Sequence, residues 1–116
     1  MLLDKPSLAE IGRLGLLRAP EEACGVLLPS PLRGSRVHEM PNRSSRASDS
    51  FMFCASDVRE VLAEWLAEHP DGEATIWHTH PGGNVGPSAF DLGHRVEEAG
   101  NLVVALTPEG PKAAWY

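Results

Sequence analysis

The sequence predicts an α/β fold in which a mixed β-sheet is flanked by helices. Short apolar runs of strand length recur between segments rich in proline, glycine and serine. Other segments repeat apolar residues at helical spacing. The predicted order is one helix, three strands, a helix, a strand, a helix and two strands. No repeat or linker interrupts this order, and a length of 116 residues favours a single domain over residues 1–116.

The first helix is predicted over residues 7–17, where Leu8, Ile11 and Leu14 follow helical spacing. Pro20 closes it, because the residue before a proline avoids the helical conformation. A buried strand follows over residues 24–28. These elements place one helix directly before the first strand of the sheet.

A second strand over residues 36–40 is predicted to pair with the first as a hairpin across a turn at 31–35. After a polar loop, residues 51–54 are predicted to form a third strand. The next helix is predicted over residues 57–68, with Asp57 and Glu60 at capping-box spacing. Its packed face contains Val58, Val61, Leu62, Trp65 and Leu66.

The C-terminal part is predicted to contain a strand over residues 74–78 and a helix from residue 88 to about residue 99. Gly100 ends this helix, since glycine readily adopts the left-handed conformation found after helices. Two strands follow, a buried one over 102–106 and an edge strand over 112–116. This part of the chain contains the residues that indicate chemistry.

The composition excludes several classes of protein. The formal net charge of −6, from 16 acids and 10 bases, argues against a nucleic-acid-binding surface. No apolar run approaches the ~20 residues of a membrane span, and no signal peptide is evident, so we expect a cytoplasmic protein without membrane contact. Cys24 and Cys54 belong to no zinc-ribbon or disulfide pattern, which favours free thiols in a reducing compartment.

Two histidines and an aspartate indicate a metal site. His78 and His80 are two residues apart at the end of a strand, so they project from the same face. Ser88 and Asp91 share a face at a helix start, after a seven-residue loop rich in proline and glycine. Two imidazoles and a carboxylate suit Zn²⁺, which in catalytic sites takes three protein ligands and a water.

Each half of this pattern also has an ordinary structural interpretation. Histidines at strand ends commonly lie on the surface or pair with polar groups. Ser88 and Asp91 are suited to cap a helix and to supply an acidic first turn. The two halves together, with the loop between them, are more specific for a metal site than either one.

The full pattern resembles the JAMM metalloproteases, the catalytically competent class of MPN domains. The matching residues are His78, His80, Pro81, Pro87, Ser88 and Asp91. Upstream, Glu22 begins an E-x-C-G-x-L segment over residues 22–27 that is similar to the family's glutamate motif. Asn42 and the segment 50–53 resemble the short prokaryotic and phage members.

The resemblance implies a fold similar to that of the cytidine deaminases and one zinc ion per chain, bound by His78, His80 and Asp91. It implies that Glu22 is the general acid–base and that Ser88 stabilises the oxyanion. The implied reaction is hydrolysis of a peptide or isopeptide bond in a protein substrate.

The substrate class and the rival hypotheses stay open at this stage. A chain this short leaves little room for the insertions that hold ubiquitin, so we expect a bacterial or phage substrate, either a ubiquitin-like sulfur carrier or a phage tail protein. The alternative is a scaffolding MPN domain with a structural or silent metal site, which in a phage could be virion-associated. His94 is predicted to be an exposed helix residue rather than to orient a ligand, and Cys24 a packed thiol rather than a nucleophile.

Overall fold

The computed structural model of the chain describes residues 3–29, 35–70, 72–96 and 99–116. Its five strands form one sheet in the order β2-β1-β3-β4-β5, in which only β3 and β4 are parallel. The elements are α1 (Lys5–Arg18), β1 (Cys24–Leu28), β2 (Arg36–Met40), α2 (Ala55–Glu68), β3 (Thr75–His80), α3 (Ala89–Gly93), β4 (Gly100–Thr107) and β5 (Gly110–Trp115). The predicted mixed sheet with helices is therefore confirmed, as is the antiparallel pairing of β1 with β2; of the turn predicted at 31–35, residues 31–34 lie outside the described residues. Within the described ranges, no helix is long and apolar enough to cross a membrane.

The sheet has a different helix on each face. On one face α1 packs through Ile11 and Leu14 against Trp77 and other buried residues of β1 and β4. On the opposite face α2 packs through Trp65 against Val26 and its neighbours. Because side chains alternate along β3, the residues next to Trp77 project away from α1. The histidines of the predicted metal site therefore lie on the α2 face.

Both long helices begin earlier than the sequence predicts. α1 starts after Asp4, whose carboxylate accepts a hydrogen bond from Ser7 N at 2.7 Å, so the prediction that it begins at residue 7 is wrong. α2 starts after Cys54, with no side-chain capping bond, so the predicted capping box at Asp57 is also wrong. The packed face of α2 is narrower than predicted, because Leu66 is 41% exposed.

The predicted strand at 51–54 is absent. This segment pairs with a neighbouring loop through two isolated bonds, from Arg43 N to Met52 O at 2.9 Å and from Met52 N to Asn42 Oδ1 at 3.2 Å. These bonds do not continue as a ladder, so the segment stays irregular and leads into α2. It nevertheless brings Phe51 onto the same face of the sheet as the β3 histidines.

The helix predicted to run to residue 99 is much shorter, since α3 ends at Gly93. The Asn101 side chain explains part of this difference. It accepts a hydrogen bond from Val96 N at 3.1 Å and donates one to Val96 O at 2.7 Å. Both main-chain groups of Val96 are thereby taken out of a helix. Gly100, predicted as a helix terminator, is instead the first residue of β4.

Candidate metal centre

β3 positions both histidines of the predicted site. His78 is fully buried and lies opposite Cys24 of β1 and Val103 of β4. His80 is the last residue of the strand and pairs with Ala105. The sequence predicted that the strand ends at His78; the two further residues mean that the sheet holds both imidazoles on one face.

A tight loop over residues 81–87 returns the chain from β3 to α3. Gly83 and Gly86 have φ angles of 84° and 85°, a backbone region that favours glycine. α3 then begins after Ser88, whose Oγ accepts a hydrogen bond from Asp91 N at 3.1 Å, while the Asp91 carboxylate accepts one from Ser88 N at 2.8 Å. This reciprocal cap points the Asp91 carboxylate back at the strand.

Three ligand atoms converge where the loop closes. The Nε2 atoms of His78 and His80 are 3.2 Å apart, and each is 3.1 Å from Oδ2 of Asp91. A tetrahedral zinc site with bonds of 2.0–2.1 Å has ligand atoms about 3.3 Å apart. The three atoms thus form a nearly equilateral triangle of the size that one zinc ion requires.

The protonation of these side chains also suits a bound cation. Nδ1 of His80 lies 3.0 Å from the main-chain carbonyl of Asn84, to which it donates, so Nε2 of the neutral ring carries the lone pair. Burial lowers the pKa of His78 more than the nearby Asp91 carboxylate raises it. Burial opposes ionisation of Asp91, but hydrogen bonds from His78 and Ser88 hold its pKa well below the usual range. The lone pair of His80 Nε2 and the Asp91 carboxylate therefore face Nε2 of the buried His78.

Glu22 lies beside this triangle. It precedes β1 by two residues, and its side chain is buried. Ligand atoms of Glu22, His78 and His80 all lie within 4.8 Å of one another, a group that can hold a metal ion. Burial, together with the charges of Asp91 and Asp49, raises the pKa of the Glu22 carboxyl to about 8.

A family model of the prokaryotic homologs of the JAB domain matches residues 4–116. The chain belongs to this family. The match confirms the resemblance to the JAB/MPN domains, and the mixed sheet with helices is consistent with the JAB fold. A comparison with curated proteins gave no match.

Ser88 occupies the rim of the JAB site rather than its buried centre. Ser88 is exposed. It lines an open groove of about 320 Å³ together with Glu22, His80 and the loop at 81–87. Ser48 and Asp49 also line this groove. The structure thus brings all five predicted site residues to one place, four in the buried cluster and Ser88 at the entrance.

Two other residues weighed from the sequence, Cys24 and His94, are not among the grouped ligand atoms. Cys24 is fully buried, with Sγ 3.5 Å from the carbonyl of Met40, and burial raises its pKa to about 12. His94 is exposed at the end of α3, where its ring stacks on Phe90 and its Nδ1 lies 2.9 Å from the Phe90 carbonyl. The structure therefore agrees with a packed thiol and with an exposed helix residue.

Sequence reasoning missed two aromatic residues in the JAB site. Phe51 stacks on the His78 imidazole with ring centroids 4.4 Å apart and planes 20° apart. Tyr116 contacts the same imidazole edge-on, at 6.1 Å and 88°. Phe51 was assigned to a strand and Tyr116 to an edge strand, and neither belongs to a local motif that points to the histidines.

Proposed function

We propose that this JAB domain is a zinc-dependent hydrolase that cleaves a peptide or lysine-linked isopeptide bond in a protein substrate. The observation that carries the proposal is the triangle of His78 Nε2, His80 Nε2 and Asp91 Oδ2, with the Glu22 carboxylate beside it. Three protein ligands leave one tetrahedral position for water, which is typical of catalytic rather than structural zinc.

His78, His80 and Asp91 are the residues that would hold the metal. Zinc bound there supplies a Lewis acid and lowers the pKa of water to about 7. The residues fit this role because Nε2 of both imidazoles converges on Oδ2 of an ionised Asp91, and His80 presents a nitrogen lone pair there. An anionic and two neutral ligands also leave a net positive charge at the centre, which favours an electron-rich carbonyl oxygen.

Glu22 is the general base of the proposed reaction, because the positive charge of a metal held beside it would lower the pKa of its carboxyl and favour the carboxylate. It accepts a proton from the attacking water and passes it to the leaving amine. Its main chain is fixed by hydrogen bonds from Glu22 N to Ala47 O at 2.7 Å and from Asn42 Nδ2 to Glu22 O at 3.0 Å. Oε1 has no hydrogen-bond partner within the described residues, so this oxygen is free to take the proton.

Ser88 is the proposed donor to the oxyanion. A hydroxyl has one proton and two lone pairs. The Ser88 oxygen already accepts the hydrogen bond from Asp91 N at 3.1 Å, which uses a lone pair and leaves its proton available to the groove. Ser88 can therefore keep its capping role while it donates to the oxygen of the scissile carbonyl.

The groove favours an extended segment of a protein or peptide as the substrate. One side of its wall is the 81–87 loop, in which Gly82 and Gly86 present backbone rather than side chains. An open groove bordered in part by glycine backbone can accept an extended tail of a protein. Ubiquitin-like sulfur carriers and phage tail proteins are the two substrate classes that we would test first.

Zinc content tests the proposal first, and cleavage tests it second. We expect the purified protein to bind about one zinc per chain and His78→Ala to lose it. Glu22→Gln should keep the zinc and reduce cleavage about 100-fold or more. Glu21→Gln, a change at the exposed neighbouring glutamate, is the matched control and should leave both unchanged.

Cleavage is measured by mass spectrometry of candidate carrier proteins and of a peptide library after incubation with the zinc-loaded domain. A protein that binds no zinc, and whose stability zinc does not change, contradicts the metal site. Zinc binding without any cleavage that depends on Glu22 contradicts the hydrolase and supports the alternative, a scaffolding domain with a structural metal.

A further inference from the structure

The two histidines of the metal centre are held in different ways. A metal-ligating histidine usually donates a hydrogen bond from its second ring nitrogen, which fixes the orientation of the ring. His80 follows this pattern through Nδ1 and the Asn84 carbonyl at 3.0 Å. Nδ1 of His78 is buried and has no hydrogen-bond partner within the described part of the chain. Something other than a hydrogen bond at Nδ1 must help to orient His78.

Two aromatic rings take the place of that bond. Phe51 lies against one face of the imidazole at 4.4 Å and 20°, and Tyr116 meets the imidazole nearly at right angles at 6.1 Å. Offset-stacked and edge-to-face pairs at these separations are the favoured aromatic geometries. The His78 side chain is fully buried, so these rings fill space that water does not occupy.

Both rings are themselves fixed by main-chain hydrogen bonds. Ser50 O accepts from Asn42 Nδ2 at 2.9 Å, and Met52 N donates to Asn42 Oδ1 at 3.2 Å, which hold the residues on either side of Phe51. Tyr116 N donates to the carbonyl of Asn101 at 3.0 Å. The rings thus come from two segments that are anchored independently of the histidine.

We propose that Phe51 and Tyr116 are positioning residues that keep Nε2 of His78, rather than a ring carbon, directed at His80 and Asp91. A half-turn of the imidazole about its Cβ–Cγ bond would put Cε1 where Nε2 lies. That rotation passes through a ring plane perpendicular to the present one, where the stacked Phe51 ring obstructs it. The inference rests on the proposed metal site and adds the groups that orient one of its ligands.

A flat ring at position 51 is the feature to test. Phe51→Leu keeps an apolar side chain but removes the stacking surface, whereas Phe51→Tyr keeps the ring. Phe53→Leu is the matched control, because it makes the same chemical change two residues away. The ring centroids of Phe53 and Phe51 are 5.6 Å apart. Zinc dissociation constants are measured by competition with a chromophoric chelator, and the visible absorption of the Co²⁺-substituted protein reports the ligand geometry.

We expect Phe51→Leu to weaken zinc binding about 10-fold or more, as loss of groups that orient a metal ligand typically does. Its Co²⁺ spectrum should lose intensity in the tetrahedral bands. Phe51→Tyr should restore both values, and Phe53→Leu should retain both. A merely structural role for Phe51 predicts lower stability in the metal-free protein with an unchanged Co²⁺ spectrum.

Tyr116 supplies a second pair of variants, Tyr116→Leu and Tyr116→Phe, so a variant of Phe51 that fails to fold does not end the test. Only the leucine change should weaken zinc binding, because the ring makes the contact. If wild type binds zinc and both leucine variants bind it as tightly, the positioning role is overturned. If wild type binds no zinc, the proposed function fails instead.

Discussion

Ser88 and Asp91 hydrogen-bond each other in both directions, through Ser88 N to Asp91 Oδ2 at 2.8 Å and Asp91 N to Ser88 Oγ at 3.1 Å. The same Oδ2 lies 3.1 Å from Nε2 of His78 and of His80. The cap that starts α3 therefore also holds the carboxylate of the metal centre. The ordinary interpretation of these residues and the functional one describe the same atoms.

This relationship predicts different effects for substitutions of Ser88 and of Asp91. Ser88→Ala should lower the free energy of unfolding of the metal-free protein by about 1 kcal/mol, because a capping acceptor is lost. It should still bind zinc, since Ser88 N can continue to hold the carboxylate. Asp91→Ala should lose zinc. Urea unfolding and zinc titration measure the two effects, with Ser48→Ala in the same groove as the control. Loss of zinc by Ser88→Ala as complete as by Asp91→Ala would contradict this division of roles.

The order of the elements was largely predictable because most of them depend on local patterns. β1 and β2 have their predicted bounds, since short apolar runs between turn residues define them. The segment at 51–54 looked like a strand from its Phe-Met-Phe run, but Asn42 and Arg43 supply its hydrogen bonds from outside the local sequence. The end of α3 depends on Asn101 in the same way.

The residues of the candidate site also differ in how far the local sequence predicts them. His78, His80 and Asp91 could be proposed together because one short loop joins them, so spacing along the chain predicts proximity. Glu22 came only from the family resemblance, because its approach to the histidines depends on how β1 pairs with β3. Phe51 could not be placed on His78 from the sequence, since no spacing rule relates them.

Asn42 organises the loop that carries Phe51 and also fixes the Glu22 main chain. Its side chain hydrogen-bonds the carbonyls of Glu22 and Ser50 and the N–H groups of Ser44 and Met52. Asn42→Ala removes the side-chain partner of all four groups, two of which belong to buried residues, so the free energy of unfolding should fall by about 2 kcal/mol. Urea unfolding measures this change. Asn84→Ala is the control, because Asn84 is exposed and faces His80 through its main-chain carbonyl; an equal effect of both changes would contradict the role of Asn42.

Gly25 has a packing role that the E-x-C-G-x-L segment did not reveal. A Cβ added there would overlap the carbonyl of His38 on β2 and the indole of Trp77 on β3. Overpacking of this kind costs about 1–3 kcal/mol, and Gly25→Ala should lower the midpoint of thermal unfolding accordingly. Gly82→Ala is the matched control, since a Cβ there meets nothing within 4 Å. Equal unfolding midpoints for the two variants would show that the strand accommodates the methyl group.

The two cysteines should react very differently with iodoacetamide near neutral pH. Cys54 is accessible at the start of α2, and its hydrogen bond with Ser56, 3.1 Å from Sγ to Oγ, lowers its pKa. Burial raises the pKa of Cys24 to about 12, so this thiol should react only after unfolding. Mass spectrometry of the native protein should find one alkylated site, and Ser56→Ala should slow its reaction. Labelling of Cys24 in the native protein at the rate of Cys54 would contradict this assignment.

Asp4 gives α1 a stability that depends on pH. Hydrogen bonds from Ser7 lower its pKa in the folded state, so its contribution is present above the unfolded value of about 3.9 and is lost as pH falls through the folded value. At pH 7 Asp4→Ala should reduce the free energy of unfolding by about 1 kcal/mol, and this difference from wild type should shrink towards zero in acid. Asp4→Ser is the control, because a serine hydroxyl can accept the same bond without titrating; urea unfolding across the pH range should show its stability rising relative to wild type as pH falls. A difference between wild type and Asp4→Ala that stays constant over that range would mean that the carboxylate charge adds nothing to the cap.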